Sequence, residues 1–386
     1  MSHFILDTGN HMVAHAVERA RVQVISAYPI TPQTTIVEAL ATMVETGKLK
    51  ARYICVESEH SALSLCVGAA FVGARTFTAT SSQGIAYMHE MLHYTSSCRV
   101  PVIMAVANRT LGPPWNIWAD DTDSLSQRDT GWIQLYCASN QEIIDSIIQC
   151  YKVCESDDVS LPAMICMEGV NLSHSVMPAV LPGQEEVDSF LPPYEPVWTL
   201  DPDKPATMGN MAGPSETLET KEDLRIAMDK VRKKLSDVAC EYSNHFGIPY
   251  AGGLVEPYRC EDAEVMIVAI GALASEAKVA VDQLRIHGKR IGLVRIRVFR
   301  PFPIGEIRQL AKDASAFVVF DRDVSFGMEG IVLSEVKAAL FGMSPSPRVT
   351  GYVVGLAGVD VTNRQLADLV EKSLDQDLRQ ETISVE

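Results

Sequence analysis

The chain has 386 residues, of which 47% are hydrophobic and 21% charged, and its formal net charge is -16. That length predicts two or three domains with sizeable cores and argues against disorder. The acidic excess argues against nucleic acid or an anionic membrane as partner, although a local arginine can bind a small anion inside an acidic protein.

No run of eighteen apolar residues occurs, so no membrane span is expected. The first residues lack the basic segment and apolar core of a secretory leader. Nine scattered cysteines without a CxxC read as a reduced, cytoplasmic pattern, mostly inside apolar runs (Cys55, Cys66, Cys137, Cys166). Cys150 and Cys154, four apart on a predicted helix, read as packing rather than metal ligands.

In chain order, Met12, Val13, Ala16 and Val17 have the spacing of an amphipathic helix over 10–21. A short strand, 24–27, then stops at Tyr28-Pro29. Pro32 stiffens the turn, and Thr31 or Thr34 is expected to cap a helix running to about Val44. The strand 51–56 ends in Glu57-Ser58-Glu59-His60, before a small-residue helix over 61–73. The strand 76–80 ends at Ser81-Ser82-Gln83-Gly84 and enters a helix over 85–94, and the strand 101–107 ends at Asn108-Arg109. Four successive β-α units predict a parallel, doubly wound α/β sheet. Each unit delivers its polar turn at the same end of the sheet, where such folds bind ligands.

Residues 112–129, GPPWNIWADDTDSLSQRD, form a long loop without periodicity, and its two tryptophans predict that it is ordered. A strand over 131–137, a helix over 140–156 and a strand over 161–167 follow, and periodicity is weak over 171–193. The first domain is therefore set at 1–195. A linker and charged bridging helix are set at 196–260, with helical spacing over 221–246. A smaller α/β domain is set at 261–386, with strands expected over 265–269, 291–298, 316–320 and 352–356.

GxGxxG after a strand, GxxxxGK[ST], HExxH and GxSxG are all missing. What the turns offer instead is a carboxylate at a helix start (Glu59), an arginine whose fork fits a carboxylate (Arg109), several hydroxyls and a stiff proline turn.

The segments YPITPQT at 28–34, VESEHSA at 56–62, TATSSQG at 78–84, HEMLHY at 89–94, ANR at 107–109 and SQRDTGW at 126–132 resemble the alpha chain of 2-oxoacid:ferredoxin oxidoreductases. VRIRVFRPFP at 294–303 continues the likeness into the second domain. The resemblance is closest to multi-subunit pyruvate:ferredoxin oxidoreductase. It implies a pyrimidine-binding-type thiamine diphosphate domain followed by a transketolase C-terminal-like domain. It also implies oxidative decarboxylation of pyruvate to acetyl-coenzyme A and carbon dioxide, with electrons passed to ferredoxin; the alternatives are the same reaction on another 2-oxo acid (branched-chain, aryl such as phenylglyoxylate or indolepyruvate, 2-oxoglutarate or oxalate) or a non-catalytic scaffold subunit. By the family's motifs Glu59 faces the cofactor pyrimidine, with Pro29, Tyr28 and Ser82 also against the cofactor. Arg109, Thr31 and Tyr28 fall at the substrate, with Glu59, Arg109 and Thr31 as the catalytic set. Gln127 and Arg128 have either a substrate role or an ion pair with Asp129 or a neighbour, and His60 and His89 read as packing residues. No GDG motif is present. The resemblance therefore implies that the diphosphate and Mg2+ are held by a beta chain, and that [4Fe-4S] clusters lie on further gamma- and delta-type subunits.

Overall fold

The computed structural model describes residues 2–248 and 253–375. Its elements begin with β1 (His3–Thr8), α1 (Gly9–Arg19), β2 (Val24–Ala27), α2 (Thr34–Glu45), β3 (Arg52–Cys55), α3 (Glu59–Phe71) and β4 (Thr76–Thr80). They continue with α4 (Gln83–Tyr87), α5 (His89–Ser97), β5 (Ile103–Asn108), α6 (Thr122–Leu125), β6 (Ile133–Tyr136), α7 (Asn140–Cys154) and β7 (Ala163–Glu168). After these come β8 (Val176–Leu181), α8 (Gln184–Phe190), α9 (Pro214–Phe246), β9 (Val255–Tyr258), β10 (Val265–Ile270), α10 (Leu273–Ile286), β11 (Ile291–Ile296) and β12 (Val298–Arg300). The described chain closes with α11 (Ile304–Leu310), β13 (Ala316–Asp321), α12 (Ile331–Leu340), β14 (Arg348–Val353) and α13 (Asn363–Asp375).

The first sheet has the order β12-β6-β7-β5-β4-β2-β3. Every pairing is parallel except that of β12 with β6. Strands β4, β5, β6 and β7 are buried along their whole length, and β5 and β7 accordingly read as nearly continuous apolar runs. The chain passes from β2 to the edge strand β3 and returns to β4 on the other side of β2. The carboxyl ends of β2, β3, β4 and β5 are therefore neighbours, beside a reversal of strand order.

The second sheet has the order β14-β13-β10-β11-β9, parallel except for β9. The two domains share one apolar cluster. Met104, Val106, Met164 and Cys166 of the first sheet belong to it together with Val268, Ile270, Val294 and Ile296 of the second. Buried ion pairs reinforce this seam. Glu142 accepts from Arg295 at 2.5 Å and from Arg297 at 2.9 Å, and Glu168 pairs with Arg322. Burial opposes the ionised form of Glu142, but the two guanidiniums hold its carboxyl below the ordinary value. The VRIRVFRP segment thus locks the domains together, and its Arg300 pairs with Glu335 and donates to the Arg128 carbonyl.

Several sequence expectations need correction. Neither Thr31 nor Thr34 caps α2. Its N-cap is Gln33, and no side chain closes the cap. The single helix expected over 85–94 is two, α4 and α5, meeting at Met88. The weakly periodic 171–193 segment contains β8, which pairs with the unforeseen β1 in an antiparallel ribbon. The bridging helix starts earlier, at Pro214, a residue suited to a first helical position. Residues 255–258, assigned to the linker, are the edge strand β9 of the second sheet. The strand expected over 291–298 divides, and β12 crosses over to pair with β6. Cys55 is exposed at the edge strand, not packed inside it. Among the described residues no group of three or more His, Cys, Asp or Glu side chains could hold a metal, and Cys150 and Cys154 are buried on α7.

Candidate active site

Four loops meet at the carboxyl ends of β2 to β5. The first, Tyr28 to Gln33, is held from beneath. Gln33 Nε2 donates to the Tyr28 carbonyl at 2.8 Å, and Asn10 Nδ2 lies 2.7 Å from both the Pro32 carbonyl and Thr35 Oγ1. Pro29 and Thr31 are exposed, and Tyr28 is half-buried. A side chain at Gly169 would place its Cβ 2.4 Å from the Asn108 carbonyl, 3.0 Å from Pro32 Cγ and 3.2 Å from the Ile117 carbonyl. This missing side chain lets the Thr31-Pro32 turn lie against the end of β5 and the loop that follows it.

The second loop ends in Ser58, whose hydroxyl accepts from Ser61 N–H at 3.2 Å and so starts α3 with Glu59 as its first residue. An acidic side chain there complements the helix dipole. Glu59 is only 8% exposed, yet no described residue hydrogen-bonds its carboxylate. It reaches over α4. A Cβ at Gly84 would lie 2.8 Å from Glu59 Oε1, 2.9 Å from Glu59 Cγ and 2.4 Å from Thr80 Oγ1. The Thr80 hydroxyl is itself buried without a hydrogen-bond partner among the described residues.

The third loop turns at Ser82, which has φ +48° and ψ -120°, a region L-residues rarely enter. Ser82 is fully buried, its hydroxyl donates to the Thr110 carbonyl, and its N–H donates to Asp123 Oδ2 at 2.8 Å. The hydroxyl is committed to the protein, so Ser82 shapes the site through its backbone.

The fourth loop carries Arg109, 8% exposed. Its Nη1 donates to the Asn116 carbonyl at 3.2 Å, and its Nε is buried without a partner. Burial lowers its pKa, partly offset by the charge of Asp123. Trp115, Ile117 and Trp118 flank Asn116 and are substantially exposed. The same loop is stitched to the second domain. Asn116 Nδ2 donates to the Ala357 carbonyl at 2.9 Å, and Gly358 N–H donates to the Ala119 carbonyl at 3.1 Å.

Asp123 is the residue that the sequence reading passed over. Its Oδ2 accepts from both Ser82 N–H and Arg109 N–H, and its Oδ1 accepts from Asn108 Nδ2 and Ser124 N–H, each at 2.7 Å. Burial pushes its carboxyl up to about 7 against these bonds. The available signal was a run of aspartates in an otherwise packed loop, since a buried carboxylate must find donors. Gln127 and Arg128 both have protein partners, and the Arg128 guanidinium, which is partly exposed, lies 4.0 Å from Asp129. Gln127 Oε1 meets His89 Nδ1 at 2.5 Å, and Arg128 lies 3.7 Å from Glu335. His60 pairs with Glu90 at the surface.

A thiamine-type cofactor needs a carboxylate in reach of a flat ring and a surface without obstructing side chains. The unpaired Glu59 carboxylate, the orphaned Thr80 hydroxyl and the bare Gly84 fit that requirement. Residues 15–239 match the family described as "Pyruvate flavodoxin/ferredoxin oxidoreductase, thiamine diP-bdg", and residues 263–366 match "Pyruvate:ferredoxin oxidoreductase core domain II". The chain is 45% identical over 366 residues to pyruvate synthase subunit PorA of Methanothermobacter thermautotrophicus, covering 95% of this chain and 94% of that one. It is 43% identical over 365 residues to ketoisovalerate oxidoreductase subunit VorA of Pyrococcus horikoshii, covering 94% and 92%. Among solved structures, 2-oxoglutarate:ferredoxin oxidoreductase from Magnetococcus marinus superposes with a TM-score of 0.74 at 18% identity. That match covers 96% of this chain but only 65% of the other, and at that identity it speaks for the fold alone.

Proposed function

The chain belongs to the pyruvate flavodoxin/ferredoxin oxidoreductase family, as the alpha-type subunit of a thiamine diphosphate-dependent 2-oxoacid:ferredoxin oxidoreductase, and we propose that its substrate is pyruvate. The observation that carries the site assignment is the Glu59 carboxylate, almost wholly buried and unpaired, resting over Gly84. Thiamine diphosphate, when bound, supplies the nucleophilic carbon and the electron sink for decarboxylation. Glu59 would share a proton with the pyrimidine ring nitrogen, holding the ring in its reactive tautomer. Pro29 and Tyr28 form the wall beside it, and Thr80 contributes a free hydroxyl.

Arg109 receives the substrate carboxylate. Its guanidinium is fixed by the Asn116 carbonyl at one nitrogen and keeps the remaining donors for the anion. Thr31, on the turn packed against the Arg109 loop, donates to the substrate. A second carboxylate on the substrate would call for a cation near Thr31, and a threonine rather than Arg or Lys at that position weakens the oxalate reading. The apolar segment of Trp115, Ile117 and Trp118 beside Asn116 suits an apolar acyl group, and as part of this reading it also meets a partner chain. The likeness to a ketoisovalerate oxidoreductase subunit supports a branched-chain acid as the second reading.

The diphosphate, its Mg2+ and the [4Fe-4S] clusters belong on beta-, gamma- and delta-type partner subunits, with coenzyme A accepting the acyl group and ferredoxin the electrons. No helix among the described residues is long and apolar enough to cross a membrane. The cytoplasmic setting is proposed from the nine cysteines scattered without a CxxC. The test is a panel of 2-oxo acids offered anaerobically to the native complex, with coenzyme A and a viologen dye. The expected result is the highest kcat/KM with pyruvate. A higher value with 2-oxoisovalerate would replace the substrate and keep the family.

A further inference from the structure

Two of the four site loops are joined by one carboxylate that has no other surface to serve. Asp123 Oδ2 takes the Ser82 N–H at 2.8 Å and the Arg109 N–H at 3.1 Å, so it spans the carboxyl ends of β4 and β5 directly. Its Oδ1 takes the Asn108 side chain and Ser124 N–H, so all of these contacts are donors. Ser82 has φ +48°, a conformation that costs an L-residue energy and persists only where its surroundings over-determine it. Here Asp123 on its N–H and the Thr110 carbonyl on its hydroxyl do so. Among the described residues the Arg109 head group makes one hydrogen bond, to the Asn116 carbonyl, and its Nε makes none. Beyond the packing that buries it, that side chain is directed from its backbone, where Asp123 holds it.

We propose that Asp123 is a positioning residue for substrate binding: it fixes the Arg109 backbone, and with it the guanidinium that receives the 2-oxo acid carboxylate, and it holds the Ser82 turn that shapes the cofactor side. This rests on the reading of Arg109 given above. Asp123→Asn keeps the volume but turns one acceptor oxygen into an NH2, which then faces two N–H donors.

The test uses the native complex purified through this chain, with pyruvate, coenzyme A and a viologen dye. Asp123→Asn should raise KM for pyruvate at least tenfold and change kcat less than threefold. In an Arg109→Lys background the same change should add less than twofold, because both act through one guanidinium. Equal, multiplicative effects in the two backgrounds, or an unaltered KM, would overturn the proposal. An Arg109→Lys complex with the parent KM would instead refute the role of Arg109, whatever Asp123→Asn does. If the Asp123→Asn chain fails to assemble, the Asp123→Asn/Ser82→Gly double variant should assemble, because glycine takes φ +48° without strain. It should show the same raised KM. Failure of both to assemble would assign Asp123 to folding alone and overturn the proposal.

Discussion

Replacing Gly84 with alanine adds one methyl group at the place where Glu59 and Thr80 converge. The new Cβ would sit 2.4 Å from Thr80 Oγ1, 2.8 Å from Glu59 Oε1 and 2.9 Å from Glu59 Cγ. Carbon–oxygen contacts of this kind normally begin near 3.4 Å, so the carboxylate must retreat by about 0.6 Å or rotate away, since catalytic groups need placement within roughly 0.5 Å. The displaced atoms are side-chain atoms, so the fold can absorb the change. A carboxylate in the role we propose for Glu59 cannot, and a displacement of this size is expected to reduce turnover on the order of 100-fold. Gly68 on α3 provides the control, because a Cβ there meets nothing within 4 Å. Gly68→Ala should leave pyruvate oxidation unchanged and raise stability by about 0.5–1 kcal/mol through lost helix-interior glycine entropy. The assay is viologen reduction by the assembled complex at saturating thiamine diphosphate, with thermal melts of both variants. A Gly84→Ala complex with the parent turnover would refute the placement of Glu59 over α4.

Glu142→Gln should destabilise the seam between the domains by about 3 kcal/mol, because it leaves Arg297 and part of Arg295 buried against a neutral amide. A thermal midpoint equal to that of the parent chain would contradict this. Asp145, buried under Tyr242 Oη at 2.7 Å, has its carboxyl pushed up to about 7 by burial. Its folded value lies above its unfolded one, so its contribution to stability is complete below about pH 4 and is lost as pH rises through 7. Asp145→Asn keeps the acceptor and removes the charge. It should stabilise the chain by on the order of a few kcal/mol at pH 8, with the gain shrinking towards pH 5. A gain independent of pH, read from melts at the two values, would count against it.

The β-α units were legible because short strand-like segments, apolar in β2 and β5 and β-branched in β4, each end in turn chemistry such as Tyr28-Pro29 or Ser81-Ser82. Glu59 and Arg109 were legible for the same reason, since position at a strand's carboxyl end follows from local order. What local order does not encode was missed. β1 pairs with β8 across more than 160 residues, and neither strand has a partner nearby in sequence. β12 leaves its own domain's sheet to complete the other, a choice made by tertiary packing. Asp123 gave no periodic signal, because its importance lies in four donors brought to it by β4, β5 and its own loop. The arginines of VRIRVFRP were visible as a motif, but their partner Glu142 sits on α7, about 150 residues earlier. The strained backbone of Ser82 and the commitment of its hydroxyl to the Thr110 carbonyl are likewise invisible in sequence.

The central claim is that this chain contributes a buried, unpaired carboxylate, Glu59, to a thiamine diphosphate site completed by a partner chain. The most direct measurement is pyruvate-dependent viologen reduction by the native complex carrying Glu59→Gln, with its assembly and cofactor content determined on the same sample. The account predicts an assembled complex whose turnover falls to about 1% of the parent or less, because the amide cannot exchange the proton that the carboxylate shares with the ring nitrogen. Turnover near that of the parent, in an intact complex with cofactor bound, would contradict it.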